Sequence, residues 1–562
     1  MARSQVPFMH HAFLPTLAGA CLAAWLLLEQ PSVGQEALPS TPDPATVRAD
    51  LERRGATVRA VNILVDDVFD PNDPKEDKGL YRLANRLHMS TRPAVIDSAL
   101  LFRSGDVFAT HVLEESERTL RALDFVAAAT IEPRAYDAAT NSVEIDVRVR
   151  DSWTLATDMK FHHSGGLSEW GGGLEDRNLF GRGKAFKVSH RSLIDRDETY
   201  LGYNDPHLFG SRVQLATILA DATDGHRREV SVARPFYSLD TRWSLGGSVR
   251  DEQRIDTIYD LGEEIDEFRH DLRSSTLQGG WSRGLTDGRT HRWLLGVTAE
   301  EDLFRPTLET PQPLLLPADR NLVYPWVGWQ LVEDDYREMT ELNDLGRTED
   351  ISLGLNLFFQ VGFANESFGS DRDATLFRAS AQTGWEPGGP GRLLLLDAGG
   401  STRHETDGLA NSQAYVDLNY YRRNLEKHLF SVSLNALVSH NLDADQQVLL
   451  GGDSGLRGYP VRYQAGTQRA ILTVEQRFFT DWYPARLFRV GYALFADAGQ
   501  VRGRDSRASP AQGTLYDVGI GLRLSSPRAS GRSIVHLDLA FPLNGNSTID
   551  NVQLIVESKG SF

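Results

Sequence analysis

The sequence predicts a mainly-β protein: a transmembrane antiparallel β-barrel of about 16 strands, preceded by a small α/β domain. Three observations carry that expectation. From Trp153 to the end of the chain, segment after segment alternates apolar and polar side chains with the two-residue period of a strand. Before it, residues 56–151 mix helical and strand periodicity. After residue 34 there is no apolar run long enough for a membrane-spanning helix. A membrane span in this chain must therefore be a closed barrel, which also satisfies every backbone polar group in lipid.

Residues 1–34 have the pattern of a secretory signal. Arg3 supplies positive charge, residues 13–28 are mostly apolar, and Ser32 and Gly34 stand at the small-residue positions of a cut before Gln35. Pro15 interrupts the apolar run, which is too short for a membrane anchor. Residues 35–55, rich in Pro, Ser and Thr and then in charge, read as a linker.

The α/β domain is expected over 56–151. Residues 61–65 suit a strand, and 70–78 form a polar insertion. Residues 80–87, 93–101 and 111–123 carry helical signals, with Pro93 suited to a first turn. Residues 125–132 and 142–149 read as strands. In the second, Val143, Ile145, Val147 and Val149 alternate with Glu144, Asp146, Arg148 and Arg150, the pattern of one buried and one wet face. The sum is a strand–helix–helix–strand–strand unit.

Residues 152–562 form the expected barrel. Ile351, Leu353, Leu355, Leu357, Phe359 and Val361 share one face of a predicted strand, with Ser352, Gly354, Asn356 and Gln360 on the other. Residues 414–420, 430–439 and 535–541 alternate in the same way. A soluble sandwich would alternate too, but one unbroken β region of this size favours a barrel with apolar residues toward lipid and polar ones toward the lumen. Trp281, Tyr324, Trp326, Trp329, Tyr420, Tyr421 and Trp482 fall near predicted strand ends, as interface girdles do. The polar stretches 251–267 and 301–321 read as long loops.

Composition narrows the function. Asp and Glu outnumber Lys and Arg by 77 to 59, a formal net charge of −18. Nucleic acid is therefore not an expected partner, because phosphate binding needs a basic surface. The one cysteine, Cys21, falls within the signal, so neither disulfides nor thiolate metal sites are expected in the mature chain, and no cofactor is implied. Catalytic motifs fail. Gly452-Asp453-Ser454-Gly455-Leu456 lacks the second glycine of a nucleophile elbow. Gly181-Arg182-Gly183-Lys184-Ala185 lacks the spacer and the hydroxyl of a phosphate loop. His162 and His163 are adjacent and so point to opposite faces of a strand. An enzyme is not expected.

The informative segment is residues 450–460, glycine-rich with a single arginine in Leu456-Arg457-Gly458-Tyr459. In a simple porin it would be a flexible surface loop. Two later acids change that reading. Glu475 and Arg477 lie on the polar parity of their strand, and Asp497 shares a face with Phe495 and Gly499. If those faces line the lumen, an inward-folded loop can set Arg457 against Asp497 and Glu475 in a charge-assisted pair. Exchanging the two charges should restore the stability lost in either single change.

These motifs resemble the BamA/TamA family of outer-membrane proteins, within the POTRA-plus-barrel (bacterial surface antigen) superfamily that includes the two-partner secretion transporters. Leu456-Arg457-Gly458-Tyr459 is similar to that superfamily's inward loop motif, with Leu in place of the usual Val. Phe495, Asp497 and Gly499 match the strand motif that receives the loop arginine, and Glu475 sits like the second acidic partner. Residues 178–183, 204–206 and 539–543 also resemble the family, and the α/β unit resembles a single polypeptide-transport-associated (POTRA) domain. Phe562 at the end of the chain resembles an outer-membrane assembly signal, although Gly560 stands where an apolar residue is usual.

The resemblance implies a periplasmic α/β domain and an outer-membrane barrel that assists insertion of client polypeptides. Implied partners are unfolded outer-membrane or secreted clients, outer-membrane lipid and periplasmic or lipoprotein accessories. A two-partner-type secretion transporter and a passive channel are the alternatives. One POTRA-like unit is fewer than insertases of this family usually carry.

Overall fold

The computed structural model describes residues 44–157, 160–503, 505–531, 534–547 and 549–559. The expected signal, the start of the expected linker and Phe562 lie outside the described residues. The rest of that stretch corrects the linker reading, because helix α1 spans Pro44–Arg53. Residues from Leu51 onward form one compact unit that holds both the α/β domain and the barrel.

In the α/β domain, β1 (Thr57–Asp66) is followed by α2 (Gly79–Leu87), α3 (Pro93–Ala99) and α4 (Thr110–Arg121), then β2 (Val126–Asp137) and β3 (Ser142–Asp151). The sheet order is β1–β3–β2, with β1 parallel and β2 antiparallel to the central strand. Alternation decides which face of β3 is covered. Val143, Ile145, Val147 and Val149 are fully buried, each contributing about 1.5–3 kcal/mol. Ile96, Leu113 and Leu120 from α3 and α4 are buried with them. The other face is ionic: Arg59 meets Glu144, Asn62 meets Asp146, and Arg148 meets Asp66. β1 and β2 are the sheet's edges.

The barrel is closed by antiparallel neighbours throughout. Leu155–Thr157 and Lys160–Ser164 pair with Leu167–Asp176 in one continuous register and form the first strand; Gln553–Lys559 is the last. Counted so, there are 20 strands, not about 16. Six short strands follow one another between Lys160 and Arg234. Val232, Leu245, Val249, Leu277, Leu295, Val297 and Phe359 are exposed on the outer wall, the apolar belt of a barrel in lipid.

Three further expectations change. The stretch 251–267 is not a loop: Trp243–Asp260 and Glu263–Thr286 form one long hairpin whose polar end continues past the apolar belt. Of 301–321, only 306–319 is loop. The predicted strand across 351–361 is two elements. Asn356–Ala364 belongs to the barrel, whereas Thr348–Ser352 pairs with Tyr336–Thr340 in a small hairpin. The aromatic set also divides. Trp281 and Trp482 are exposed, but Tyr324, Trp326 and Tyr421 are buried and face inward. Trp326 and Trp329 are three residues apart, so they necessarily take opposite faces of one strand.

Candidate functional site

The connection between strands His428–His440 and Gln468–Phe479 turns back into the lumen. Val448–Leu450 pairs with Gln464–Gly466, which fixes the stem, and the residues between enter the barrel. Leu456 is fully buried against Leu450, Tyr459, Tyr463, Ile471, Val501 and Leu515. Gly499 makes room for it: a Cβ there would stand 3.1 Å from Leu456 Cδ1. The Tyr459 hydroxyl donates to the Asn544 side chain at 2.7 Å and accepts from the Tyr516 N–H at 3.1 Å, tying the loop to the last strands.

Arg457 lies at the centre. Its Nε and Nη2 donate to the two oxygens of Asp497 at 2.8 and 2.9 Å, a bidentate pair. Its Nη1 reaches Glu475 and Asp538, each at 3.2 Å. Its guanidinium carbon is 3.3 Å from the centroid of the Phe495 ring. Arg477 donates to Glu475 at 2.8 Å, and Arg523 pairs with Asp538 and lies 3.4 Å from Glu475. Two arginines and four acids, counting Asp517, are thus concentrated on neighbouring strands around the loop's Arg457.

Register explains why the loop is needed. Asp497 and Asp517 stand directly opposite each other on adjacent strands, and like charges so placed destabilise a sheet. The loop serves both. Arg457 takes Asp497, and the Gly458 N–H donates to Asp517 at 3.0 Å. The approach is so close that a Cβ at Gly458 would sit 2.5 Å from Asp517 Cβ.

The structure therefore brings together Leu456, Arg457, Gly458, Tyr459, Glu475, Phe495, Asp497 and Gly499. Sequence reasoning missed Asp517, Arg523 and Asp538. Their signal was present, because each is a charge on the inward parity of one of the last strands.

It also missed a second occupant of the lumen. The hairpin of Tyr336–Thr340 and Thr348–Ser352 enters from the end beside the α/β domain. The Glu349 carboxylate gathers its tip by accepting from the N–H groups of Leu342, Asn343 and Asp344 at 2.9–3.2 Å. Leu342 and Leu345 are buried against Leu393, Tyr421, Leu429 and Phe479 of the barrel wall. Arg477 donates to the Leu342 carbonyl at 2.9 Å, so one arginine touches both the hairpin and the acids that hold the loop. At its base, Arg121 of α4 pairs with Glu338 at 2.8 Å and Asp350 at 2.6 Å, and Arg118 with Asp334 at 2.8 Å.

The turn at 178–183 is a docking point for the domain. Asn178 donates to Thr91 at 2.7 Å and accepts from the Gly183 N–H at 2.6 Å; Thr91 in turn donates to Asp151. Asp205 takes Lys184 at 2.8 Å.

The first and last strands close the barrel. Among the described residues, only Val556↔His163 is paired across that seam, whereas the last strand pairs with its other neighbour from Ile534↔Lys559 to Ala540↔Gln553.

Residues 396–556 match the sequence profile of the Omp85 superfamily domain. That stretch of the barrel is similar to the Omp85 domain. Arg457 and all four of the acids around it fall within the Omp85 match, while the lumen hairpin and the α/β domain precede it. No curated protein sequence matches the chain significantly. Similar solved structures include CdiB from Acinetobacter baumannii, at 12% identity and TM-score 0.45, covering 90% of this chain and 73% of that one. CdiB from Escherichia coli is similar at 11% identity and TM-score 0.39, covering 92% and 99%. BamA from Haemophilus ducreyi lacking POTRA domains 1–3 is similar at 11% identity and TM-score 0.39, covering 90% and 85%.

Proposed function

We propose that this protein is an outer-membrane assembly factor of the BamA/TamA type, with a POTRA-like domain in the periplasm that hands client polypeptides to the barrel seam. The observation that carries this reading is the seam itself, where, among the described residues, one position is paired against seven at the last strand's other interface. Parting the first and last strands there exposes backbone donors and acceptors that an incoming strand can pair with. The lumen offers no comparable route. The Arg457 loop occupies it from one end and the Leu342 hairpin from the other. That double occupancy disfavours a passive channel, and it sets a secretion transporter the task of clearing both elements. The sheet edges β2 and, beyond its first residues, β1 suit capture of an extended client by strand addition.

Quantitative proteomics of the outer membrane after depletion of this protein tests the reading. A broad fall in many barrel proteins supports an assembly factor. Loss of one secreted protein with the barrels unchanged would replace it with a dedicated transporter.

A further inference from the structure

Between the α/β domain and the barrel rim lies a cavity of about 490 Å³ with four arginines, Arg103, Arg212, Arg234 and Arg242, in its lining. Arg212 and Arg234 share one aromatic ring: their guanidinium carbons lie 4.7 and 5.0 Å from the centroid of Tyr237. Arg234 also lies 3.8 Å from the ring centroid of Trp243. Their protein acceptors are neutral. Arg212 donates to the Leu100 carbonyl at 2.5 Å, and Arg234 to the Trp243 carbonyl and the Tyr237 hydroxyl. Among the described residues, neither has a carboxylate within 4.0 Å, in a chain whose other lumen and rim arginines are mostly paired with acids.

The cavity's own acids are engaged elsewhere. Asp106 accepts from the Arg103 N–H, Asp240 from Leu285 N–H with His111 beside it, and Glu115 from the Leu239 N–H. Burial, with Arg103 and Arg234 nearby, pushes the Arg212 guanidinium below its ordinary pKa, the signature of a cation lacking its counter-ion.

Position selects the counter-ion. Arg234 continues the outward row of Val230 and Val232, and Trp243 continues that of Leu245 and Val249; these apolar neighbours are exposed on the lipid-facing wall. Arginine beside tryptophan at the end of an apolar belt marks headgroup level. We propose that this cavity is a binding site for the phosphate of a phospholipid headgroup, in the leaflet on the side of the α/β domain. Arg212 and Arg234 are its principal donors, and Arg103 and Arg242 stand at its mouth. A guanidinium matches phosphate with paired N–H donors. The site joins the lipid to both sides of the domain–barrel contact, since Leu100 and Arg103 come from the domain and Arg212, Arg234 and Trp243 from the barrel.

The test is native mass spectrometry of the full chain in a neutral detergent, titrated with phosphatidylglycerol and, separately, with inorganic phosphate. One phosphatidylglycerol should bind with a defined stoichiometry, and R212Q/R234Q should weaken it at least about tenfold. R212K/R234K keeps the charge and should retain part of the binding. If R212Q/R234Q does not fold, R103Q/R242Q, at the exposed mouth, should still weaken binding by several-fold. Equal lipid retention by wild type and a folded Gln variant overturns the site. Displacement of the lipid by millimolar inorganic phosphate overturns its assignment to a membrane lipid and makes it a free-phosphate site.

Discussion

Arg457→Ala is the perturbation that most directly exposes how the lumen is held together. Arg457 makes two hydrogen bonds to Asp497, one each to Glu475 and Asp538, and stacks on Phe495. The three carboxylates have side chains no more than 7% exposed, so water compensates poorly for the missing cation. Truncation leaves Glu475, Asp497, Asp517 and Asp538 with only Arg477 and Arg523. Breaking a buried pair from one side costs about 3–5 kcal/mol. The remaining arginines cover Glu475 and Asp538, so the lower figure applies; about 3 kcal/mol is roughly two decades in the unfolding equilibrium.

The assay is urea unfolding of the purified chain in lipid vesicles, followed by tryptophan fluorescence. It should be run as a double-mutant cycle with Asp497→Ala, with an expected coupling of at least about 1.5 kcal/mol. A cost for Arg457→Ala below about 0.5 kcal/mol, the level of an ordinary surface change, would refute the reasoning. The charge exchange R457D/D497R, which an isolated pair would tolerate, should not rescue. The new carboxylate at 457 would face Glu475 and also Asp538, which the sequence alone did not place there.

Gly458→Ala should cost about 1–3 kcal/mol, because its Cβ would collide with Asp517 and displace the N–H that serves it; the same unfolding assay reads it. Leu342→Asp with Leu345→Asp should drive the lumen hairpin out of its apolar seat, seen as new protease cleavage within 341–347 and raised conductance in planar bilayers. At the opposite rim, burial works against the Asp195 carboxylate, but Arg462 at 2.6 and 2.9 Å and the Tyr259 hydroxyl at 2.6 Å hold its pKa below the usual range. A lowered folded pKa gives stability that is present above the unfolded value of about 3.9 and lost as pH falls through the folded one. Asp195→Asn should therefore lower thermal stability at neutral pH, and its effect should shrink as pH falls below about 3.9; an effect that does not change with pH would contradict that assignment.

Much of the architecture was legible because burial writes a period into the chain. The four aliphatic residues of β3 and the alternation over 430–439 each marked a strand with two unlike faces, and the structure has His428–His440 and Ser142–Asp151 there. The strand number was less legible than the fold class, since alternation marks a strand but not where one short strand ends and the next begins. Loop boundaries failed where a hairpin outruns the lipid, since a strand in water needs no apolar face and 251–267 reads as loop. The inward arginine was legible by resemblance to a family motif. Its extra partners were not, because Arg523 and Asp538 reach the site only through the registers of the last four strands. The hairpin at Leu342 was hidden because 348–352 continues the alternation of the barrel strand after it.

The central claim is that the first and last strands part while the lumen stays filled. The most direct test is a reversible lock, H163C/V556C, placed where the two strands are paired. The sole native cysteine is Cys21, in the expected signal, so a bond formed in the mature chain is the engineered one. In vesicles, the oxidised protein should fail to accelerate insertion of an unfolded client barrel, and reduction should restore it. Full activity in the oxidised, fully cross-linked protein would contradict the account.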